Sequence, residues 1–284
     1  MRSFLRRVAR YLPRRLKRRA EERLRAAWLH PEKMREFHGP NMATMEKIST
    51  WLDADGFQKS VFQYGVPDEI RHLIDLPMGQ GLTYTDALLS LTGHLHKPVT
   101  YLEIGVSVGK NFLQMAESLS RATLTGFDIE EISPVLKNHF QPGSRTEWPT
   151  TSSSLKKANS SLSKFATTVR DNQVSYLSGD VFDEQSWRHL KGQKFNVVFS
   201  DAFHSAEALK VEHEMLLRHD LLDHDEVIIM WDDLGGGMTD AFEEIAVSLR
   251  KSRKGGAGSS FVVPLKGWLG DNWGDHQVGF FISI

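Results

Sequence analysis

The 284-residue chain contains no cysteine. Disulfides, thiolate zinc sites, iron–sulfur clusters and a cysteine nucleophile are thereby excluded. The absence suits a reducing compartment, and a cytoplasmic location is the expectation. No apolar run approaches the ~18 residues a membrane-spanning helix requires, nor the ~7–15 that follow the basic start of a secretory signal. Net charge is close to nil, with 35 Lys or Arg against 36 Asp or Glu. Its distribution is uneven: residues 1–28 hold eleven basic residues and two Glu, leaving 24 basic against 34 acidic residues in the rest. An acidic body does not favour nucleic acid by charge, so no nucleic-acid partner is expected. A composition 40% hydrophobic can build a sizeable core.

In the first 28 residues Phe4, Leu5, Val8, Leu12, Leu16, Ala20 and Leu24 fall at helical spacing among arginines, with Pro13 as a break. This basic amphipathic arm reads as a solvated or docked helix, as a membrane-surface helix giving peripheral membrane contact, or as a transit peptide. Residues 29–97 read as helices and loops, among them "TYTDALLSLTGHLH" with Thr83 or Thr85 as cap. From residue 98 the pattern alternates. "VTYLEIG", "ATLTGFDI", "VSYLSGD", "FNVVFSD", "EVIIMWDD", "SSFVVPL" and "QVGFFISI" read as seven strands. "KNFLQMAESLSR" and "MTDAFEEIAVSLRKS" read as helices between them. The expected fold is α/β, a doubly wound and mostly parallel seven-stranded sheet over 98–284 with an N-terminal helical extension. The Ser- and Thr-rich stretch "PTTSSSLKKANSSLSK" lies in a long crossover over 131–173, the place for a lid or binding loop.

Two groups of residues fall at the carboxyl ends of these strands, where ligands of open α/β sheets bind. In "YLEIGVSVGKNF" an acid, Glu103, precedes Gly105, Ser107 and Gly109 at the first strand-to-helix turn. The spacing E-x-G-x-x-x-G is not the dinucleotide triplet of glycines. Nineteen residues after Gly109, Asp128 ends the second strand, where a carboxylate can accept both hydroxyls of a ribose. Asp180 ends the third. The second group is Asp201 and His204 after the fourth strand, with Asp232 and Asp233 after the fifth. Neighbouring residues of a strand point to opposite faces, yet two carboxylates brought together need a cation, a proton or water between them. An all-oxygen set suits a hard ion: Mg2+ first, or Ca2+ or Mn2+. The plainer alternatives are that the acid pair caps the next helix, that His204 is only a helix-terminal residue, and that Asp180 only turns the chain. Trp268, Trp273 and His276 precede the last strand, either walling a pocket or forming an aromatic cluster.

The first group resembles the cofactor loop of the class I S-adenosylmethionine-dependent methyltransferases, E/D-x-G-x-G-x-G, with Ser107 in place of the middle glycine. The resemblance spans about residues 98–284. It implies that Glu103, Gly105, Ser107, Gly109, Asp128 and Asp180 bind S-adenosylmethionine. The second group, D-x-x-H and then D-D, resembles the metal-dependent O-methyltransferases that modify sugar hydroxyls of natural products, and the relatives known as cephalosporin hydroxylases. It implies that Asp201, Asp232 and Asp233 hold the metal and that His204 is the base, taking a proton near its ordinary pKa of ~6.5. The expected acceptor is a small molecule with vicinal oxygens, a glycoside before a catechol. The alternatives are a hydroxylase-like activity on the same fold, or a non-catalytic domain tethered by the basic arm. Association into a homo-oligomer is left open.

Overall fold

The computed structural model describes residues 22–52, 58–61, 81–142, 164–267 and 275–284. The arm of residues 1–28 falls outside them except for a helical stretch over 22–28. The Ser- and Thr-rich segment over 149–163, Trp268 and Trp273 also lie outside the described residues. No described helix is long and apolar enough to cross a membrane.

The helices α1 (Pro31–Ile48) and α2 (Tyr84–Thr92) flank a short hairpin of β1 (Thr50–Leu52) and β2 (Gln58–Ser60). Strands and helices then alternate: β3 (Thr100–Ile104), α3 (Lys110–Ser118), β4 (Thr123–Asp128), α4 (Pro134–Phe140), β5 (Lys164–Val169), β6 (Asn172–Ser178), α5 (Glu184–Arg188), β7 (Val197–Ser200), α6 (Ala206–Arg218), β8 (Val227–Trp231), α7 (Gly237–Ser252), β9 (Ser259–Lys266) and β10 (Asp275–Ser283). The sheet order is β5-β6-β4-β3-β7-β8-β10-β9. The five central strands are parallel, while β10 runs antiparallel between β8 and β9.

The sheet has eight strands where seven were expected. The extra one, β5, pairs antiparallel with β6 through a tight turn at Arg170 and Asp171. Its sequence, KFATTV, alternates exposed and half-buried positions along an edge, so it carries no buried apolar run to announce it. The other seven strands coincide with the runs read from the sequence, because strands covered on both faces favour apolar residues.

Successive residues of the central strands serve two cores. Tyr101, Ile228 and Met230 join Met34, Met45, Leu88 and Phe112 from α1, α2 and α3 on one face. Leu102, Ile104, Ile229 and Trp231 join Trp187, Leu216, Phe242 and Leu249 from α5, α6 and α7 on the other. Burying each such side chain contributes roughly 1.5–3 kcal/mol. The helical region before residue 98 is therefore one wall of the sheet's core.

Asp86 fixes that wall. Its carboxylate closes a capping box with Thr83, accepting the Thr83 amide at 2.9 Å while the Thr83 hydroxyl accepts the Asp86 amide at 3.2 Å. The same carboxylate accepts Asn41 Nδ2 at 2.6 Å and contacts His38 Nδ1 at 2.8 Å, both from α1. Asp86 and Asn41 are fully buried. Removing the acid leaves the Thr83 cap but takes away the reciprocal half of the capping box, orphaning two buried donors, the Thr83 amide and the Asn41 side chain, each worth about 1–3 kcal/mol. Asp86→Ala is expected to lower unfolding free energy by roughly 2–4 kcal/mol, read by urea denaturation. A loss under ~0.5 kcal/mol, the level of an ordinary surface change, would show that the α1–α2 junction does not depend on it.

Candidate active site at the carboxyl ends of the strands

The loop from β3 to α3 takes a left-handed backbone at three alternate positions: Gly105 (φ 85°), Ser107 (φ 54°) and Gly109 (φ 86°). Such φ values are cheap for glycine and cost an L-residue about 1–2 kcal/mol. The alternation explains the spacing of the motif, and Ser107 stands at the one strained position. Two neighbours enforce the glycines. A Cβ on Gly105 would lie 2.4 Å from the Asp201 carbonyl oxygen, and one on Gly109 2.2 Å from the Leu136 side chain. The close approach the glycines permit is thus to the chain itself, to the end of β7 and to α4.

Asp128 ends β4 beside this loop. One carboxylate oxygen accepts the amides of Val106 and Ser107 at 2.6 and 2.7 Å, and the other accepts the Glu130 amide at 2.8 Å. Burial raises its pKa while these amides oppose the rise. Asp180 accepts the Phe182 amide at 2.9 Å in a local turn. The described residues expose only six large apolar side chains, and three of them follow these strand ends: Ile129 after β4, Phe182 after β6 and Phe203 after β7. Phe182 and Phe203 meet edge to face, with ring centroids 6.0 Å apart.

Glu103 is almost wholly buried. Its Oε2 accepts the Tyr101 hydroxyl at 2.5 Å and Asn111 Nδ2 at 2.8 Å. Loss of solvent raises its pKa to about 8, against the pull of those two bonds. At neutral pH it is largely a neutral acid inside the core.

The second group answers the question of the adjacent carboxylates. Asp232 bends away just past the end of β8, and Asp233 turns into the left-handed region at φ 51°, which aspartate tolerates through local hydrogen bonding. That turn brings both carboxylates to the same side. Both reach His276 at the start of β10: its Nδ1 lies 2.9 Å from Asp232 Oδ2, 3.1 Å from Asp232 Oδ1 and 2.9 Å from Asp233 Oδ1. The next helix, α7, is capped by Gly236 without a side-chain bond, so the acid pair does not cap it. Asp201 lies to one side, with Oδ1 2.9 Å from His204 Nε2. His204 Nδ1 in turn faces Asp233 Oδ2 at 3.7 Å. Ser205, not His204, caps α6.

The charges are strongly perturbed. Burial lifts Asp201 to about 6, helped by the negative charges of Asp232 and Asp233 and opposed by His204. The hydrogen bond to Asp201 lifts His204 to about 9, with burial opposing. An ordinary imidazole pKa was expected there, and the carboxylates displace it: with no added cation the ring holds its proton at neutral pH. Among the described residues, the acids and histidines whose ligand atoms lie within 4.8 Å of one another are Asp232, Asp233 and His276. Asp201 is joined to them through His204.

Three residues of the site carried no clear signal in the sequence. His276 sits beside the acid pair because β10 is antiparallel to β8 (Gly279 opposite Trp231), which sets the start of one strand by the end of the other. Tyr84, the first residue of α2, is almost wholly buried, with its ring 5.7 Å from that of His276. Burial and then Asp232, Asp201, Glu103 and Asp233 hold its phenol well above the usual range, so it keeps its proton. Lys110 opens α3, and loss of solvent lowers it to about 8 against the attraction of Asp201.

No family model matches the chain, and no curated protein matches it. Solved structures do. A proposed O-methyltransferase from Klebsiella pneumoniae is 12% identical over 93% of this chain and 96% of its own, at a TM-score of 0.44. A proposed caffeoyl-CoA O-methyltransferase from Staphylococcus aureus is 12% identical over 80% and 93%, at 0.43. Cofactor-bound Rv0187 from MTB is 12% identical over 87% and 89%, at 0.43. At such identities no residue role passes from these proteins to this chain.

Glu103 gives the site a pH signature. Its folded pKa of about 8 lies above the ordinary 4.5, so the folded state binds the extra proton between those values. Stability is full below the lower value and falls as pH rises, by up to ~1.4 kcal/mol per pH unit. Glu103→Gln keeps an acceptor and a neutral group, and is expected to raise the melting temperature at pH 8 and flatten its decline above pH 5. Parallel melting profiles of the two proteins from pH 5 to 8.5 would contradict a buried neutral acid.

Proposed function

We propose that the chain is an S-adenosylmethionine-dependent, divalent-metal-assisted O-methyltransferase. Its acceptor would be the hydroxyl of a small molecule with vicinal oxygens, a glycoside first. The observation that carries this reading is the placement, on one rim of the sheet, of Asp128 and the exposed Ile129, Phe182 and Phe203 beside a convergent acid pair.

The first half of that rim fits the cofactor. Asp128 keeps a spare lone pair on the oxygen that takes only one amide, sufficient to accept from a ribose hydroxyl. Ile129, Phe182 and Phe203 offer exposed apolar faces, which a purine needs on both sides. The Gly105–Gly109 loop leads from β3 into the first turn of α3 at the same end of the sheet. Glu103, buried as it is, braces the loop from beneath through Asn111 of α3.

The second half fits a divalent ion, because two carboxylates and an imidazole nitrogen converge there. Asp232 and Asp233 would hold the ion, with Asp201 as the third acid of the reading. When bound, S-adenosylmethionine supplies an electrophilic methyl and the ion polarises the acceptor hydroxyl. His204 is placed to take the hydroxyl proton at Nδ1. Asp201, bonded at Nε2, fixes the tautomer with the proton on that nitrogen and stabilises the imidazolium that results. The Tyr84 ring stands 5.7 Å from that of His276, and its phenol keeps its proton. The protein's part is alignment, exclusion of water and removal of one proton.

Asp128→Ala tests the cofactor half. Three amides lose their acceptor, so a cost of about 1–3 kcal/mol in stability is expected, with the fold retained. Calorimetry with S-adenosylmethionine is expected to show at least tenfold weaker binding. Unchanged affinity in a folded variant would remove Asp128 from the site, and no binding to the unaltered protein would remove the methyltransferase reading.

A further inference from the structure

The acid pair and the histidine of β10 form hydrogen-bonded ion pairs whose spacing is also that of ligands around a small ion. A single ring nitrogen, His276 Nδ1, stands 2.9, 3.1 and 2.9 Å from three oxygens of two carboxylates. One N–H can point at only one of them well. Metal bonds of ~2.1 Å at right angles put neighbouring ligand atoms ~3.0 Å apart, whereas the ~2.4 Å bonds of Ca2+ would spread them to ~3.4 Å. His276 Nδ1 and one oxygen of each carboxylate, 2.9 Å from it in both cases, have the spacing of neighbouring ligands around a small ion.

The ring is held for this role. Tyr84 packs on one side at a centroid distance of 5.7 Å. Gly267 lies against the far nitrogen, where a Cβ would come within 2.1 Å of Nε2. Nδ1 is therefore turned to the acids by packing. A second observation points to the same spot. The Tyr84 side chain is about 95% buried and makes no hydrogen bond to any described residue. The charge it feels most is that of Asp232, followed by Asp201. A water or acceptor oxygen on a bound ion would supply the phenol with a partner.

We propose that His276 Nδ1 is a metal ligand, completing an Asp232–Asp233–His276 site for a first-row transition ion such as Mn2+ in preference to Mg2+, with the Tyr84 hydroxyl facing the ion's open side. The inference rests on the metal-assisted reading above and replaces its third acid: Asp201 is engaged by His204 and serves the base. An imidazole in the donor set shifts preference from Mg2+ toward transition ions, because nitrogen is a softer donor than carboxylate oxygen. Removal of the imidazole is therefore expected to cost more Mn2+ affinity than Mg2+ affinity.

The test uses the full-length protein with Mn2+ alone and with Mg2+ alone, and needs no acceptor. Calorimetry is expected to give Mn2+ binding at least tenfold tighter than Mg2+. Pulsed electron paramagnetic resonance of the Mn2+ complex is expected to show modulation from a directly bound imidazole nitrogen. His276→Gln should abolish that modulation and weaken Mn2+ at least tenfold, while His204→Gln leaves both in place. His276→Asn is the second variant should the first not fold, with melting curves as the check. Binding of S-adenosylmethionine should be unchanged in each. Nitrogen modulation that survives in His276→Gln and vanishes in His204→Gln overturns the proposal. So does Mn2+ affinity that falls in Asp201→Asn as far as in His276→Gln. Absence of any ion binding, with S-adenosylmethionine still bound, overturns it and leaves the cofactor reading standing. Mn2+ bound through His276 without S-adenosylmethionine upholds the site and fells the methyltransferase reading instead.

Discussion

Two carboxylates on consecutive residues at the end of a buried strand cannot both stay charged and dry without a positive partner. Asp232 is almost wholly buried, and Asp233 turns back beside it by taking a left-handed backbone. Much of the surrounding structure answers that constraint. His276 arrives from an antiparallel strand to meet both acids, and His204 stands between Asp233 and Asp201. Tyr84 closes the far side with a proton it does not give up. Burial is the larger cause of the raised pKa of Asp201, while His204 and His276 are raised by hydrogen bonds to the carboxylates beside them.

The same rim of the sheet carries a second, unlike surface. Beyond β7 toward β6 the charges give way to Ile129, Phe182 and Phe203, with Asp128 among them. The two surfaces meet at Gly105, whose missing side chain lets the β3–α3 loop rest on the backbone of Asp201 and Ala202. The contact couples the loop that would cradle a nucleoside to the strand end that would carry the base. A side chain at residue 105 would push the two apart, which is why this glycine bears on both halves.

Much of this was legible in the sequence, and what was not has definite causes. The central strands announced themselves through the apolar runs that two-sided burial favours, most fully in β7 and β8; β5 did not, because an edge strand with alternating exposure and no apolar run lacks that signature. The capping threonine of α2 was readable as Thr83 or Thr85, and the structure uses Thr83. The acid pair and D-x-x-H were legible as chemistry since they are contiguous or nearly so. His276 was legible only as a residue before the last strand, because its meeting with the acid pair depends on an antiparallel register that no local pattern encodes. Tyr84 was missed for a similar reason. It opens a helix in a region that looked like a mere extension, and only the packing of α1 and α2 on the sheet, fixed by Asp86, brings it to the centre. Ser107 was read as a departure from a glycine pattern. Its φ of 54° shows that the backbone still adopts the shape the pattern serves.

The central claim is that one rim of the sheet holds a nucleoside cofactor and a divalent ion side by side. The most direct measurement is a crystal structure of the full-length protein grown with Mn2+ and S-adenosylhomocysteine, with anomalous data collected at the manganese absorption edge. The account predicts an anomalous peak in contact with Asp232 and Asp233, and the nucleoside lying over Asp128 between Ile129, Phe182 and Phe203. A rim without manganese at the acid pair, or with the nucleoside bound elsewhere, would contradict it.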